Sequence, residues 1–164
     1  MSQKITPCLW FEHNNAEEAM TFYTSIFKNS KIVGIERYPS GVKEGPLANM
    51  DGKVLTGIFE IDGQRFMCLD GGPVFSFSGA ISFQVECDTQ EELDQYWSSL
   101  SADPSAEQCG WLKDKYGISW QIIPKALGKM LSDPNKEKSG RAMQAMLGMK
   151  KLYIAALTKA FDGQ

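Results

Sequence analysis

Ile5-Thr6-Pro7-Cys8-Leu9-Trp10-Phe11 leads through Asn14-Asn15 into Ala16-Glu17-Glu18-Ala19-Met20-Thr21-Phe22-Tyr23. Gly79-Ala80-Ile81-Ser82-Phe83-Gln84-Val85 leads through Asp88-Thr89 into Gln90-Glu91-Glu92-Leu93-Asp94-Gln95-Tyr96-Trp97. These are one strand–helix unit written twice: Glu17 and Glu91 lie 74 positions apart, as do Phe22 and Tyr96. A unit repeated in this way predicts a fold built from two copies, with a site expected between them.

Side chains alternate across a strand, so each opening strand has two unlike faces. Ile5, Leu9 and Phe11 oppose Thr6, Cys8 and Trp10, and Ile81, Phe83 and Val85 oppose Ala80, Ser82 and Gln84. Asn15 and Thr89 are N-cap residue types, and each is followed by glutamates where the helix dipole favours an anion. Ala19, Phe22, Tyr23 and Ile26 form an apolar stripe echoed by Leu93, Tyr96, Trp97 and Leu100. Packing the stripes on the apolar strand faces leaves Thr6, Cys8, Trp10, Ala80, Ser82 and Gln84 on the other side.

A second repeat has a different offset. Val54 to Leu69 reads as two strands joined at Asp62-Gly63, and Trp111 to Ile123 reads the same way. Gly63 and Gly117 are 54 positions apart, which pairs Met67 with Gln121. The first copy therefore holds about 20 extra residues, placed at the loop-like stretch Pro39 to Pro46. Ser30 to Tyr38 supplies one more strand, and its counterpart is expected near Ala106 to Cys109. The reading is an α+β chain, a single domain over 1–164. It comprises βαβββ modules at 3–72 and 78–124 and a helical extension over 125–164. In the extension Asp133-Pro134 is expected to start a helix bearing Met143, Met146 and Leu147 and ending at Gly148, followed by a stripe of Leu152, Ala155, Ala156 and Phe161.

With 164 residues the chain can bury a real core, and 43% hydrophobic with 23% charged residues is a globular composition. A net charge of −3 offers no basic footprint for nucleic acid. No apolar run approaches a membrane span, and no signal-peptide pattern opens the chain. Cys8, Cys68, Cys87 and Cys109 lack C-x-x-C spacing and sit in apolar stretches, which fits reduced thiols in a cytoplasmic setting. His13, the single histidine, falls between strand and helix, where a solvated loop is expected.

Two tandem βαβββ modules resemble the vicinal-oxygen-chelate superfamily, which includes the glyoxalase I and bleomycin-resistance families. The phrases Thr6 to Phe11, Asn15-Ala16-Glu17-Glu18-Ala19, Gly71-Gly72-Pro73, Ala80-Ile81-Ser82-Phe83 and Cys109-Gly110-Trp111-Leu112-Lys113-Asp114 are similar to its PhnB-like branch. Many members of that branch carry a demethylubiquinone 3-methyltransferase label. No glycine-rich loop here joins a first strand to a helix, as a nucleotide-type methyl donor would need. The resemblance implies a glyoxalase/bleomycin-resistance fold and a homodimer.

It also implies where a metal would sit, since metal-dependent members take ligands from the first and last strand of each module. The repeat offsets place Thr6, Met67, Ala80 and Gln121 there, which is not a histidine and carboxylate set. What remains is an apolar and neutral polar surface with Trp10, Arg65, Ser82, Gln84 and Gln121 as candidate ligand-binding residues. Phe75 and Phe77 are expected to pack the link between modules. The sequence thus predicts a metal-free, cofactor-free homodimer binding an unidentified small organic molecule in a cavity between modules, without nucleic-acid or membrane partners. The alternatives are a lyase, isomerase or dioxygenase-type enzyme using an unconventional metal site or Cys8 and Gln121, and a dimeric scaffold without ligand.

Overall fold

The computed structural model describes residues 3–45 and 48–164, so Pro46 of the expected loop lies outside the described residues. The chain divides into two compact units, residues 1–77 and 78–164.

In the first unit, β1 (Cys8–Phe11), α1 (Ala16–Ile26), β2 (Lys31–Arg37), β3 (Val54–Ile61) and β4 (Gln64–Asp70) follow in order. The sheet order is β1-β4-β3-β2, with β1 parallel to β4 and the other pairs antiparallel. Leu9 and Phe11 are buried as their parity demands, but Ile5 lies before the strand and is 85% exposed. Ala16, Ala19, Met20 and Tyr23 form the buried side of α1, with Tyr23 stacked on Phe59 at 6.3 Å. Phe22 and Ile26, expected in that stripe, are only half-buried. Asp62 and Gly63 both adopt positive φ, which gives the tight hairpin turn its twist.

The expected cap of α1 is corrected. Asn15 occupies the cap position but its side chain makes no capping bond. Buried Asp70, at the end of β4, does the work instead. Its Oδ1 accepts from Ala16 N–H at 2.9 Å and its Oδ2 from Val54 N–H at 2.7 Å, so one carboxylate ties helix, β3 and β4 together. Trp10 lies flat over Gly71, where a Cβ would fall 2.1 Å from the indole. It is pinned there by an Nε1–H bond to Gly72 O and by an edge contact with Phe75. Phe77 meets Phe11 edge-on, so both phenylalanines pack at the end of the first unit.

The second unit runs β5 (Ser82–Cys87), α2 (Gln90–Leu100), a 3₁₀ turn (Pro104–Ala106), β6 (Trp111–Lys113), β7 (Ser119–Pro124), α3 (Lys125–Leu131), α4 (Lys136–Leu147) and α5 (Ile154–Asp162). Its sheet has the order β5-β7-β6, with β5 parallel to β7. Thr89 caps α2 as expected, its side chain accepting from Glu92 N–H, while Glu92 Oε2 accepts from Asp88 N–H. Leu93, Trp97 and Leu100 bury one side of α2. The strand expected near Ala106 to Cys109 is reduced to a single bridge between Gln108 and Trp111. Cys109 N–H and Gly110 N–H instead donate to Met149 O and Lys150 O, so the C-terminal segment occupies that edge.

Asp114 is the polar knot of this unit. It is 3% exposed, and its Oδ1 accepts from Tyr116 N–H at 2.9 Å and Ile118 N–H at 3.0 Å. Its Oδ2 accepts from the Trp120 indole N–H at 2.8 Å. In the extension, α4 starts at Lys136 behind Asn135, two residues later than Asp133-Pro134 suggested, because the Asn135 carboxamide caps Glu137 and Lys138 N–H. Gly148 ends that helix as expected. Met143 and Leu147 are exposed, and Leu152 with Leu157 is buried where Ala155 and Ala156 are not. Arg141 reaches from α4 to the carbonyls of Ala160 and Phe161, satisfying the end of α5.

Replacing Asp114 with alanine removes the acceptor of three N–H groups, those of Ile118 and Trp120 buried and that of Tyr116 half-buried, and a buried donor left unsatisfied costs about 1–3 kcal/mol. Urea denaturation of Asp114→Ala is expected to show a loss of about 3 kcal/mol or more. A loss below about 1 kcal/mol would mean that water replaces the carboxylate freely.

Candidate functional site

The strand alternation that buries Trp120 and Ile122 of β7 turns Gln121 and Ile123 to the opposite face of the sheet. In the parallel register Gln84 stands beside Gln121, and Trp111 of β6 stands beside it on the other side. Glu86 follows Gln84 on the same face of β5. Leu127, Gly128 and Leu131 of α3 and Met146 of α4 close over these residues, leaving a pocket of about 330 Å³ whose wall also includes Cys109. Gly110, at φ 86°, makes the close approach beneath it possible, since a Cβ there would fall 2.8 Å from Ile123 Cδ1 and 3.1 Å from Ile122 O.

The polar groups are ordered among themselves. Gln121 Nε2 donates to Ser82 Oγ at 2.9 Å, and Gln84 Nε2 reaches Glu86 Oε1 at 3.4 Å. Lys125 at the rim pairs with Asp88 at 3.3 Å. A second, more open depression of about 480 Å³ is lined by Trp97, Glu107, Lys150, Lys151 and Tyr153. Its lysines are already committed, Lys150 to Glu107 at 3.6 Å and Lys151 to Asp94 at 2.7 Å. The hydrogen bond between the last two pushes the Asp94 carboxyl down and the Lys151 ammonium up.

A family model described as 3-demethylubiquinone-9 3-methyltransferase matches residues 3–123. The chain belongs to this family. A solved PhnB protein from Bacillus cereus is 42% identical over 74% of this chain and 99% of that one, with a TM-score of 0.61. A solved protein from Pseudomonas aeruginosa shares the fold at 18% identity, with a TM-score of 0.55 over 73% of this chain and 95% of that one. No curated protein matches the chain. The fold is therefore the PhnB-like glyoxalase/bleomycin-resistance fold, and α3, α4 and α5 lie beyond the family match.

Within that fold the strand registers correct one equivalence. Phe11 pairs with Asp70 and Cys87 with Pro124, so the last strands correspond at 54 positions but the first strands at 76. The helices still correspond at 74, because the β5–α2 connection is two residues shorter than the β1–α1 connection. Thr6 thus answers to Ser82, and Ala80 lies before β5 altogether. The family's metal positions fall on Thr6 or Cys8 beside Met67, and on Ser82 or Gln84 beside Gln121. These hydroxyls, amides, a thioether and the single Cys8 thiol, itself pushed toward its protonated form by burial, do not make up the imidazole and carboxylate set that a divalent cation takes in such a site. No three His, Cys, Asp or Glu side chains cluster among the described residues.

Of the residues singled out from the sequence, Gln84 and Gln121 line the pocket, and Ser82, outside the lining, bonds Gln121. Trp10 and Arg65 belong to the first unit. Arg65 is about half exposed and pairs with Glu60, which also holds Lys31 and is kept below the usual carboxylate range by those hydrogen bonds. His13 lies on a loop, 78% exposed. Sequence reasoning missed Glu86, Trp111 and Cys109 as pocket residues. Glu86 was findable, since it continues the parity of Ser82 and Gln84; the walls from α3 and α4 carried no periodic signal toward a particular strand.

The thiols are proton-holding groups. Partial desolvation pushes the Cys8 thiol up, and burial pushes Cys68 and Cys87 up to about 12. A free cysteine deprotonates near pH ~8.5, so the folded state holds these protons more tightly than the unfolded state. The stability this confers is present below that pH and lost as pH rises toward the folded value. Cys87→Ala is expected to show a shallower fall in Tm than the wild type between about pH 8.5 and about pH 10.5. Parallel curves would remove Cys87 from the alkaline response.

Proposed function

We propose that the protein binds a small organic molecule, without a metal ion, in the pocket formed by the β5-β7-β6 sheet face, α3 and α4. The carrying observation is the pairing of an apolar wall (Trp111, Ile123, Leu127, Leu131 and Met146) with a short polar row of Gln84, Glu86 and Gln121. An apolar cavity with a few fixed polar groups is the usual form of a small-molecule site, and about 330 Å³ lies at the small end of that range.

The reading extends to a homodimer in a reducing, cytoplasmic setting, with no nucleic-acid partner. No helix among the described residues is long and apolar enough to cross a membrane. Methyl transfer, the activity in the family's description, is not our reading. The β1–α1 and β5–α2 connections, residues 12–15 and 88–89, contain no glycine, and neither sheet is doubly wound, so no phosphate-cradling turn of the dinucleotide type is formed. A reaction on Cys8 or Gln121 lacks an activated group, since the Cys8 thiol is held protonated and an amide exchanges no proton near neutral pH.

A thermal-shift screen of aromatic and amphiphilic compounds tests the reading. A ligand at about 100 times its Kd should raise Tm by on the order of 5 °C. Gly128→Leu, where a Cβ meets nothing within 4 Å, puts an apolar side chain on the pocket wall and should abolish the shift. A shift unchanged in that variant would move the site elsewhere, and no hit at all would remove the proposal. Elemental analysis should find far less than one equivalent of Zn, Ni, Mn or Fe; one equivalent per chain would overturn the metal-free part.

A further inference from the structure

The unspent valences of the pocket's polar row point to the charge of its occupant. Gln121 has committed its Nε2–H to Ser82, and Gln84 its Nε2–H to Glu86. Each carboxamide keeps its carbonyl oxygen and one further N–H. Glu86 adds a carboxylate, which as an ionised group only accepts. Its one hydrogen bond among the described residues is the long contact from Gln84, and it forms no ion pair there. Three acceptor groups thus stand in a row on the sheet face. Of the lysines on this side, Lys125 lines the pocket and is paired with Asp88 at 3.3 Å, and Lys113 stands beside Ser119, outside the pocket lining. Gln90 and Asp94 are engaged on α2 and with Leu152 and Lys151.

Such a row favours a positively charged head, because Glu86 is the charged group among the three and the two amide carbonyls accept beside it. The rest of the pocket asks for something apolar. Trp111 flanks Gln121 in the register, and an indole face also attracts a cation. Ile123, Leu127, Leu131 and Met146 supply the remaining wall. We infer that the pocket selects an amphiphilic cation, a compact aromatic or aliphatic body carrying an ammonium or amidinium group placed on Glu86 and the carbonyls of Gln84 and Gln121. This rests on the pocket-binding reading above and adds the ligand class to it.

The experiment compares three probes of one shape, 4-phenylbutylamine, 4-phenylbutan-1-ol and 4-phenylbutyrate, by calorimetry on the full chain and on Glu86→Gln. Glu86 is exposed, so the variant is expected to fold with an unchanged Tm. A charge-assisted hydrogen bond should make the amine bind about tenfold tighter than the alcohol, with the acid weakest. Glu86→Gln should bring the amine down to the level of the alcohol and leave the alcohol unchanged. The amine's advantage should also shrink between about 0.05 M and about 0.5 M salt, as screening requires. Three probes binding alike, the acid binding best, or an amine preference that survives Glu86→Gln would overturn the cation inference while leaving a binding pocket. None of the three binding, in a protein that also gives no hit in the wider screen, would overturn both.

Discussion

The buried carboxylate of Asp114 is the constraint on which the second unit depends. It closes the loop between β6 and β7 by accepting from Tyr116 and Ile118 N–H, and it holds the Trp120 indole from the same side. Fixing Trp120 inward fixes the parity of β7, because a slip of one residue would exchange its two faces. Gln121 and Ile123 then face the pocket, and Ile122 faces α2. A single carboxyl side chain, satisfied on both oxygens, thereby decides which residues of a whole strand belong to the core and which face the pocket.

Asp70 plays a comparable part in the first unit by different bonds. It caps α1 and holds the start of β3, whereas α2 is capped locally by Thr89. The two modules thus solve the same problem, four unpaired N–H groups at a helix start, with different residues. The two-residue difference between the strand–helix connections accompanies this exchange. The second module has also given up a strand, and the segment Met149-Lys150 now accepts the hydrogen bonds of Cys109 and Gly110. That substitution ties the C-terminal helices to the sheet. Gln90 strengthens the tie by bonding both Leu152 O and Ile154 N–H across the start of α5.

The pocket is consequently of mixed origin. Its floor is the sheet face of the PhnB-like fold, and its roof is formed by α3 and α4, which lie beyond residues 3–123 matched by the family. On that floor, where metal-dependent relatives in the superfamily would present histidine and glutamate, Gln121 bonds the Ser82 hydroxyl and Gln84 bonds the Glu86 carboxylate. The half-buried Gln121 amide finds a partner in Ser82.

The sequence by itself determined the α+β fold class, the hairpin turns at Gly63 and Gly117, and the inward parity of Leu9 and Phe11. These follow from local rules, alternation along a strand and positive φ at a turn. It misjudged Asn15 as a side-chain cap, the fourth strand of the second module, and the equivalence of Thr6 with Ala80. Each of those depends on a partner distant in the chain: Asp70 for the helix cap, Met149 and Lys150 for the edge, and the β5–β7 register for the equivalence. The pocket also belongs to the tertiary structure. Ser82, Gln84 and Gln121 were visible as residue types, but Glu86, Trp111 and the walls from α3 and α4 became a site only when the helices folded back on the sheet, because a cavity is made by surfaces that meet from separate parts of the chain.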